Sequence, residues 1–234
     1  MIRSYEFQLS APQPFLTAYP LYAAMLERGS PYFAAQLHNS TITPVSQYVS
    51  GNCWKVSLFG ADTIHALSPV LEQMDAVYIR KTQTQLQLQL QACHSIESVD
   101  ELLEQPSRRR GILHFRTPVA FKSGGAYQLL PTQRLIMQNL ILKWNGCFGE
   151  LCPIEDDGGG LEALANGLRY QSVQLSTHTY DMKHTQIPGV LGSIAFDSRL
   201  DGFHQQLATA LLTFGCYSGL GIKTALGMGG LEIT

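Results

Sequence analysis

The sequence predicts an α+β chain made of two successive units, each running strand, helix, two strands, helix, strand, with antiparallel sheets. Three observations carry that reading. Thr84-Gln-Leu-Gln-Leu-Gln-Leu-Gln91 alternates with period two, which puts Leu86, Leu88 and Leu90 on a core face and Gln85, Gln87 and Gln89 outward, as in an antiparallel sheet open on one side. Phe203, Leu207, Leu211 and Phe214 recur at helical spacing and lead through a glycine-rich loop into a few strand-like residues. Between these, Pro106-Ser-Arg-Arg-Arg110 interrupts the apolar pattern and the order of elements restarts, which divides the chain into units 1–108 and 109–234.

In the first unit, Arg3 to Leu9 alternates with Tyr5, Phe7 and Leu9 on one face, and Ala11 to Pro14 breaks that strand. Pro20 opens a helix of strong helix formers that Gly29-Ser30-Pro31 ends, and a second short helix is expected from Pro31 to Asn39. Cys53 to Phe59 reads as a strand, Asp62 to Met74 as a helix with Ile64, Leu67, Leu71 and Met74 inward, and Ala76 to Ile79 as a short strand. A short acidic helix over Val99 to Glu104 precedes the break. The second unit opens with the strand Gly111 to Arg116 and a loop from Thr117 to Gly125. A helix follows from Gln133 to Asn145, its stripe Leu135, Ile136, Leu140 and Trp144, and then a flexible acidic insertion, Glu155 to Gly160. Strands over Leu168 to Tyr180 and Val190 to Phe196 lead to the closing helix, glycine loop and strand. The pattern is two tandem ferredoxin-like, RRM-like βαββαβ domains.

With 234 residues and 45% hydrophobic content, the chain can build two real cores. Five cysteines with no C-x-x-C pair, and no histidine at zinc-finger spacing, read as reduced thiols, so neither a disulfide framework nor a structural zinc site is expected. The start lacks a basic-then-apolar leader and the most apolar stretch, Leu207 to Ile222, is interrupted by Thr, Gly and Ser, so a cytoplasmic protein with no membrane span is expected.

A formal charge of −2 argues against indiscriminate coating of nucleic acid, but the charge is unevenly spread. Arg108, Arg109, Arg110, Arg116, Lys122, Arg134 and Lys143 lie in a stretch, 108–149, that holds no Asp or Glu, and Glu150, Glu155, Asp156 and Asp157 follow at once. The basic stretch is a candidate polyanion-binding surface. The glycine loop, Gly219-Leu-Gly-Ile-Lys-Thr-Ala-Leu-Gly-Met-Gly-Gly230, follows a helix instead of leading into one, which excludes a mononucleotide cradle of the kind seated on a helix N-terminus. What remains is a loop that another backbone can approach closely, with Lys223 and Thr224 at its centre to meet a phosphate.

A duplicated chain of this order that closes on helix, then Gly219-Leu-Gly-Ile-Lys-Thr-Ala-Leu-Gly-Met-Gly-Gly230, resembles the CRISPR-associated repeat-RNA processing endoribonucleases of the RAMP superfamily. Thr117-Pro-Val-Ala-Phe-Lys-Ser-Gly-Gly125, Pro188-Gly-Val-Leu-Gly-Ser-Ile-Ala-Phe196, and Leu21-Tyr-Ala-Ala-Met-Leu26 with Tyr32-Phe-Ala-Ala-Gln-Leu-His38 are also similar to that family. The resemblance implies metal-independent cleavage of precursor CRISPR RNA within its repeats, by attack of a ribose 2′-hydroxyl, leaving a 2′,3′-cyclic phosphate and a 5′-hydroxyl. It implies no cofactor and no metal. Such a reaction needs a base, an acid and donors for the charged phosphorane. His38 falls where the family places its catalytic histidine, and Tyr22 where it places a tyrosine partner. The family's lysine shortly after the histidine has no counterpart, and Lys55 is the first one downstream. RNA contact is expected from Arg108, Arg109, Arg110, Lys122, Ser123, Lys183, Gly219, Gly221, Lys223, Thr224, Gly227 and Gly229. Repeat RNA, precursor and guide, is the expected partner; other effector subunits and a second copy of the chain stay open. Two other readings stand beside this one: a RAMP subunit that binds guide RNA without cutting it, and a small-molecule enzyme on a ferredoxin-like scaffold.

Overall fold

Strand β1, Ile2–Gln13, runs past the expected break and is the central strand of the first sheet. The computed structural model describes residues 1–31, 33, 35, 42–80, 82–155, 159–182 and 185–234. Helix α1 covers Ala18–Arg28, β2 Val45–Phe59, α2 Ala61–Glu72, β3 Ala76–Ile79 and β4 Thr84–Ile96, and the sheet order is β2-β1-β4-β3. Strand β2 doubles back on itself, because Phe59 N–H donates to Pro44 C=O at 3.0 Å and Gly51 sits at the bend with φ 59°. Its arm 52–59 pairs with β1 from Ile2↔Phe59 to Gln8↔Cys53. The unit is therefore βαββαβ with β3 added at the edge.

The second unit follows a single helical turn, α3, at Asp100–Leu103. It contains β5 Arg110–Val119, β6 Phe121–Ser123, β7 Ala126–Gln128, α4 Gln133–Phe148, α5 Gly160–Gly167, β8 Leu168–Met182, β9 Thr185–Ser198, α6 Gly202–Ser218 and β10 Leu231–Ile233. Its sheet order, β10-β5-β9-β8, is the same antiparallel ferredoxin-like arrangement. The Thr132 hydroxyl caps α4 by accepting from Leu135 N–H at 3.3 Å.

Two expectations are corrected. Leu90 is 40% exposed, because the alternation stops at an irregularity in which Phe7 pairs with Leu90 but Glu6 with Ala92, skipping Gln91. The loop from Thr117 to Gly125 is instead the end of β5 followed by the hairpin β6–β7. Residues 156–158 of the expected insertion and most of the second short helix expected from Pro31 to Asn39 lie outside the described residues, and helix α5, which the sequence did not signal, begins at Gly160.

Tyr5, Phe7, Trp54, Val56 and Leu58 face α1 and α2, where Leu21, Met25, Ile64, Leu67 and Leu71 close the first core. Leu113, Phe115, Ile194 and Phe196 face α4 and α6, closed by Ile136, Leu140, Trp144, Leu211 and Phe214. The cores exchange residues. Ile2, Phe59 and Leu102 belong to the second cluster, with Phe59 edge-on to Phe214 at 5.9 Å, and Ala225 belongs to the first. Ile2 and Phe59 lie on the pleat opposite Tyr5 and Val56, so α6 packs on the first sheet's other face.

Candidate nucleic-acid interface and active site

The closing loop is a seam between the two units. Gly219, Gly221, Gly227, Gly229 and Gly230 are all buried. A Cβ at Gly221, where φ is 80°, would run into the Ala120 carbonyl, and one at Gly229, where φ is 74°, into the Leu220 carbonyl. The close-approaching backbone anticipated from the glycines is thus the chain's own. The N–H groups of the loop are used in the same way: Leu220 donates to Gly229 C=O, Gly221 to Asn139 Oδ1, Ile222 to Ala120 C=O, Gly227 to Thr224 C=O, Gly229 to Pro118 C=O and Gly230 to Thr117 Oγ1. The expectation that Gly221, Gly227 and Gly229 offer their main chain to RNA is not met, because these donors are already paired.

Two buried polar side chains fasten the seam. Gln47, 1% exposed, accepts from Trp54 Nε1 at 2.8 Å and donates to the carbonyls of Ala18 at 2.9 Å and Ala225 at 3.0 Å. One amide thereby joins the first sheet, the start of α1 and the 3-10 turn Thr224–Leu226. Lys143 on α4 donates from Nζ to the carbonyls of Ser218 at 3.0 Å and Gly219 at 2.9 Å, and to Thr224 Oγ1 at 3.4 Å. It therefore sits at the C-terminus of α6, where the helix carbonyls favour a cation. Burial opposes the charge and lowers the amine to about 7. Neither residue carries a sequence signal: a glutamine between a serine and a tyrosine, and a lysine in a helix, both read as surface.

The candidate catalytic residues separate. His38 lies outside the described residues; Ile42, four residues on, abuts Gly146 of α4, one turn from Lys143. Tyr22 is in the first core, one turn from Ala18, which meets Gly227. Its hydroxyl has no hydrogen-bond partner among the described residues, and burial pushes it up to about 12, so it stays a proton donor at neutral pH. Lys55 points the other way. It alternates with Trp54 and Val56, pairs with Glu6 at 3.2 Å and stands 5.7 Å from the centre of the Tyr217 ring, in a crevice lined by Ser46, Tyr48, Ser57 and Cys216. Tyr22 and Lys55 are on opposite faces of one sheet, so Lys55 does not join Tyr22 in one site.

The basic stretch is largely neutralised in space. Arg109 pairs with Asp201 at 2.9 Å, Arg110 with Asp197 at 3.4 Å, Arg116 with Glu232 at 2.6 Å and Arg134 with Glu162 at 2.6 Å. With Lys143 buried, only Arg108 and Lys122 of the seven remain exposed without an ion-pair partner among the described residues. The absence of nearby acids in sequence concealed these partners, which come from β9, the residue before α6, β10 and α5. Lys122 pairs in register with the 40% exposed Tyr127 across the hairpin β6–β7, next to Ser123. Lys223, exposed and left-handed at φ 57°, leaves the seam beside it, because Ile222 N–H is bonded to Ala120 C=O at 2.9 Å. Lys122, Ser123, Tyr127, Lys223 and the partly buried Thr224 thus gather at one end of the second sheet, with the first turn of α1 behind them. Arg108 to Arg110 begin β5 at its other end, about 30 Å away by the rise of a ten-residue strand. Lys183 lies outside the described residues.

Fold and seam together define a double ferredoxin-like protein, its units locked through the glycine loop. The model of the CRISPR-associated endoribonuclease Cas6 family matches residues 113–231, slightly more than half the chain. A Cas6 endoribonuclease of Streptococcus thermophilus is 36% identical over 119 residues, 51% of this chain and 48% of that relative, so the match spans about half the relative's length. One from Mycobacterium tuberculosis is 26% identical over 227 residues, 91% of this chain and 70% of the relative. The fold matches a Cas6 product complex with a TM-score of 0.77 at 19% identity, covering 100% of both chains. The chain belongs to the CRISPR-associated endoribonuclease family Cas6. No helix among the described residues is long and apolar enough to cross a membrane.

Proposed function

We propose that this chain cuts CRISPR precursor RNA within its repeats, without a metal, by in-line attack of the 2′-hydroxyl beside the scissile phosphate. The products are a 2′,3′-cyclic phosphate and a 5′-hydroxyl. The observation that carries the reading is the docking of α1 on the glycine seam, Ala18 against Gly227 with Gln47 bonded to both sides, beside two exposed lysines in a chain of this family. Lys122 and Lys223 hold RNA phosphates, and Tyr127 offers a face for a base. His38 exchanges protons with the 2′-hydroxyl and the leaving 5′-oxygen, a role suited to a group that titrates near neutrality. Tyr22 donates its hydroxyl to the phosphate or to His38. The division into domains 1–108 and 109–234 is kept as an organisational proposal, with the seam coupling them.

The test is incubation of end-labelled repeat RNA with the protein in EDTA and mapping of the product ends. A single cut leaving a 2′,3′-cyclic phosphate supports the reading. Tight binding with no product supports a non-catalytic RNA-binding subunit instead.

A further inference from the structure

The corner where β8, β9 and β5 meet the start of α6 is unlike the lysine end. Arg110, Asp197 and Arg169 lie side by side on three adjacent strands, through the pairs Arg110↔Asp197 and Arg169↔Asp197. Arg199 follows just past the end of β9, its N–H bonded to Gly167 C=O, and Ser198 N–H bonds Arg109 C=O. Arg108 is tied in by its carbonyl, which accepts from Gln205 Nε2 at 3.0 Å. Five arginines therefore share this corner with Asp197, Asp201 and, at the end of α3, Glu104; Glu101 is turned to the amides of Glu97 and Ser98. Arg108, Arg169 and Arg199 are exposed and have no ion-pair partner among the described residues; Arg169, alternating with the inward Leu168 and Tyr170, lies on the sheet face turned away from α6. Phe203, in the first turn of α6, two residues after Asp201 and four after Arg199, is 71% exposed, with its ring edge-on to His204 at 6.0 Å.

Unpaired arginines close in the chain and in the fold to an exposed ring have a specific use. Unpaired bases stack on aromatic faces while guanidinium groups take the phosphates between them, whereas a duplex keeps its bases stacked inside and gives such a ring nothing to grip. We infer that Phe203, with Arg108 and Arg199, is a second RNA contact that binds an unpaired stretch of the RNA flanking the repeat, at the opposite end of β5 from Lys122 and Lys223. This rests on the reading of the protein as a repeat-RNA nuclease, and it names the part of the substrate that reading leaves unassigned.

The experiment measures affinity by fluorescence anisotropy for three labelled RNAs: the repeat alone, the repeat extended by unpaired nucleotides on its 5′ side, and on its 3′ side. Wild type and the double variant Arg199→Ala/Phe203→Ala are compared, with circular dichroism confirming the fold of the variant. At least one extension tightens wild-type binding by roughly tenfold, the scale of a single stacked base plus phosphate contacts. The double variant loses that gain, binds the bare repeat like wild type and cuts it at the same rate. The inference is overturned if neither extension tightens binding or if the variant keeps the gain. It is also overturned if the variant changes only the oligomeric state in sedimentation, which makes Phe203 a protein contact. Failure of the nuclease reading looks different: the bare repeat is then neither bound nor cut by wild type.

Discussion

Replacing Lys143 with Met tests the seam as a structure. The side chain is buried and its amine serves two carbonyls and one hydroxyl, so Lys143→Met leaves buried acceptors without donors. Each lost bond contributes about 1 kcal/mol net, and the same change removes the cost of burying a charge, so the loss at pH 7 is about 2 kcal/mol. The pH dependence is more diagnostic. The folded amine titrates at about 7, below its unfolded value of 10.5. Below pH 7 both states bind the proton and the group adds no slope. Between 7 and 10.5 the unfolded state binds more protons, so stability rises with pH at up to about 1.4 kcal/mol per pH unit. From pH 6 to 9 wild type gains on the order of 2–3 kcal/mol from this group, and Lys143→Met gains none of it. Urea denaturation at several pH values, with the variant subtracted from wild type, isolates the effect. Parallel stability curves for the two proteins refute the buried, seam-holding lysine.

Other outcomes follow from the same geometry. Gln47→Leu removes three buried hydrogen bonds across the seam and costs about 3 kcal/mol, lowering the thermal midpoint by roughly 6–12 °C; a loss below 1 kcal/mol contradicts its bridging role. Because Ile2, Phe59 and Leu102 are built into the second core, calorimetry shows one unfolding transition; two separate transitions would mean independent halves. Lys122→Ala and Lys223→Ala each weaken repeat-RNA binding and reduce the slope of log affinity against log salt by about 0.7 for a single strand. An unchanged slope in both removes these lysines from the interface.

Much of the fold was legible in the sequence because it depends on local periodicity. The alternation from Thr84 to Gln91 and the stripe from Phe203 to Phe214 became β4 and α6, and the restart after Pro106 became the second sheet. The first arm of β2 was missed, since Val45-Ser-Gln-Tyr-Val-Ser50 hides its partner, the arm after Gly51, behind a two-sided burial that alternation does not mark. The site was less legible, because it depends on what is brought together across distance. Arg116 and Glu232 are far apart in sequence yet paired, so a basic stretch in the sequence is not a basic surface. Lys55 was chosen for its distance along the chain from His38, but the pleat turns it away from Tyr22. The glycines were recognised as sites of close backbone approach; that the approaching backbone belongs to the chain itself required the packing of Ala120 and Leu220.

We propose that His38 carries the chemistry and that Lys55, paired with Glu6, is a structural ion pair. Single-turnover cleavage of repeat RNA in EDTA by wild type, His38→Ala and Lys55→Met tests that assignment most directly. Wild type cuts, His38→Ala falls by roughly a hundredfold to ten-thousandfold, the range expected for loss of a proton-transfer group, and Lys55→Met stays within a few fold of wild type. Undiminished cutting by His38→Ala, or its abolition by Lys55→Met, contradicts the account.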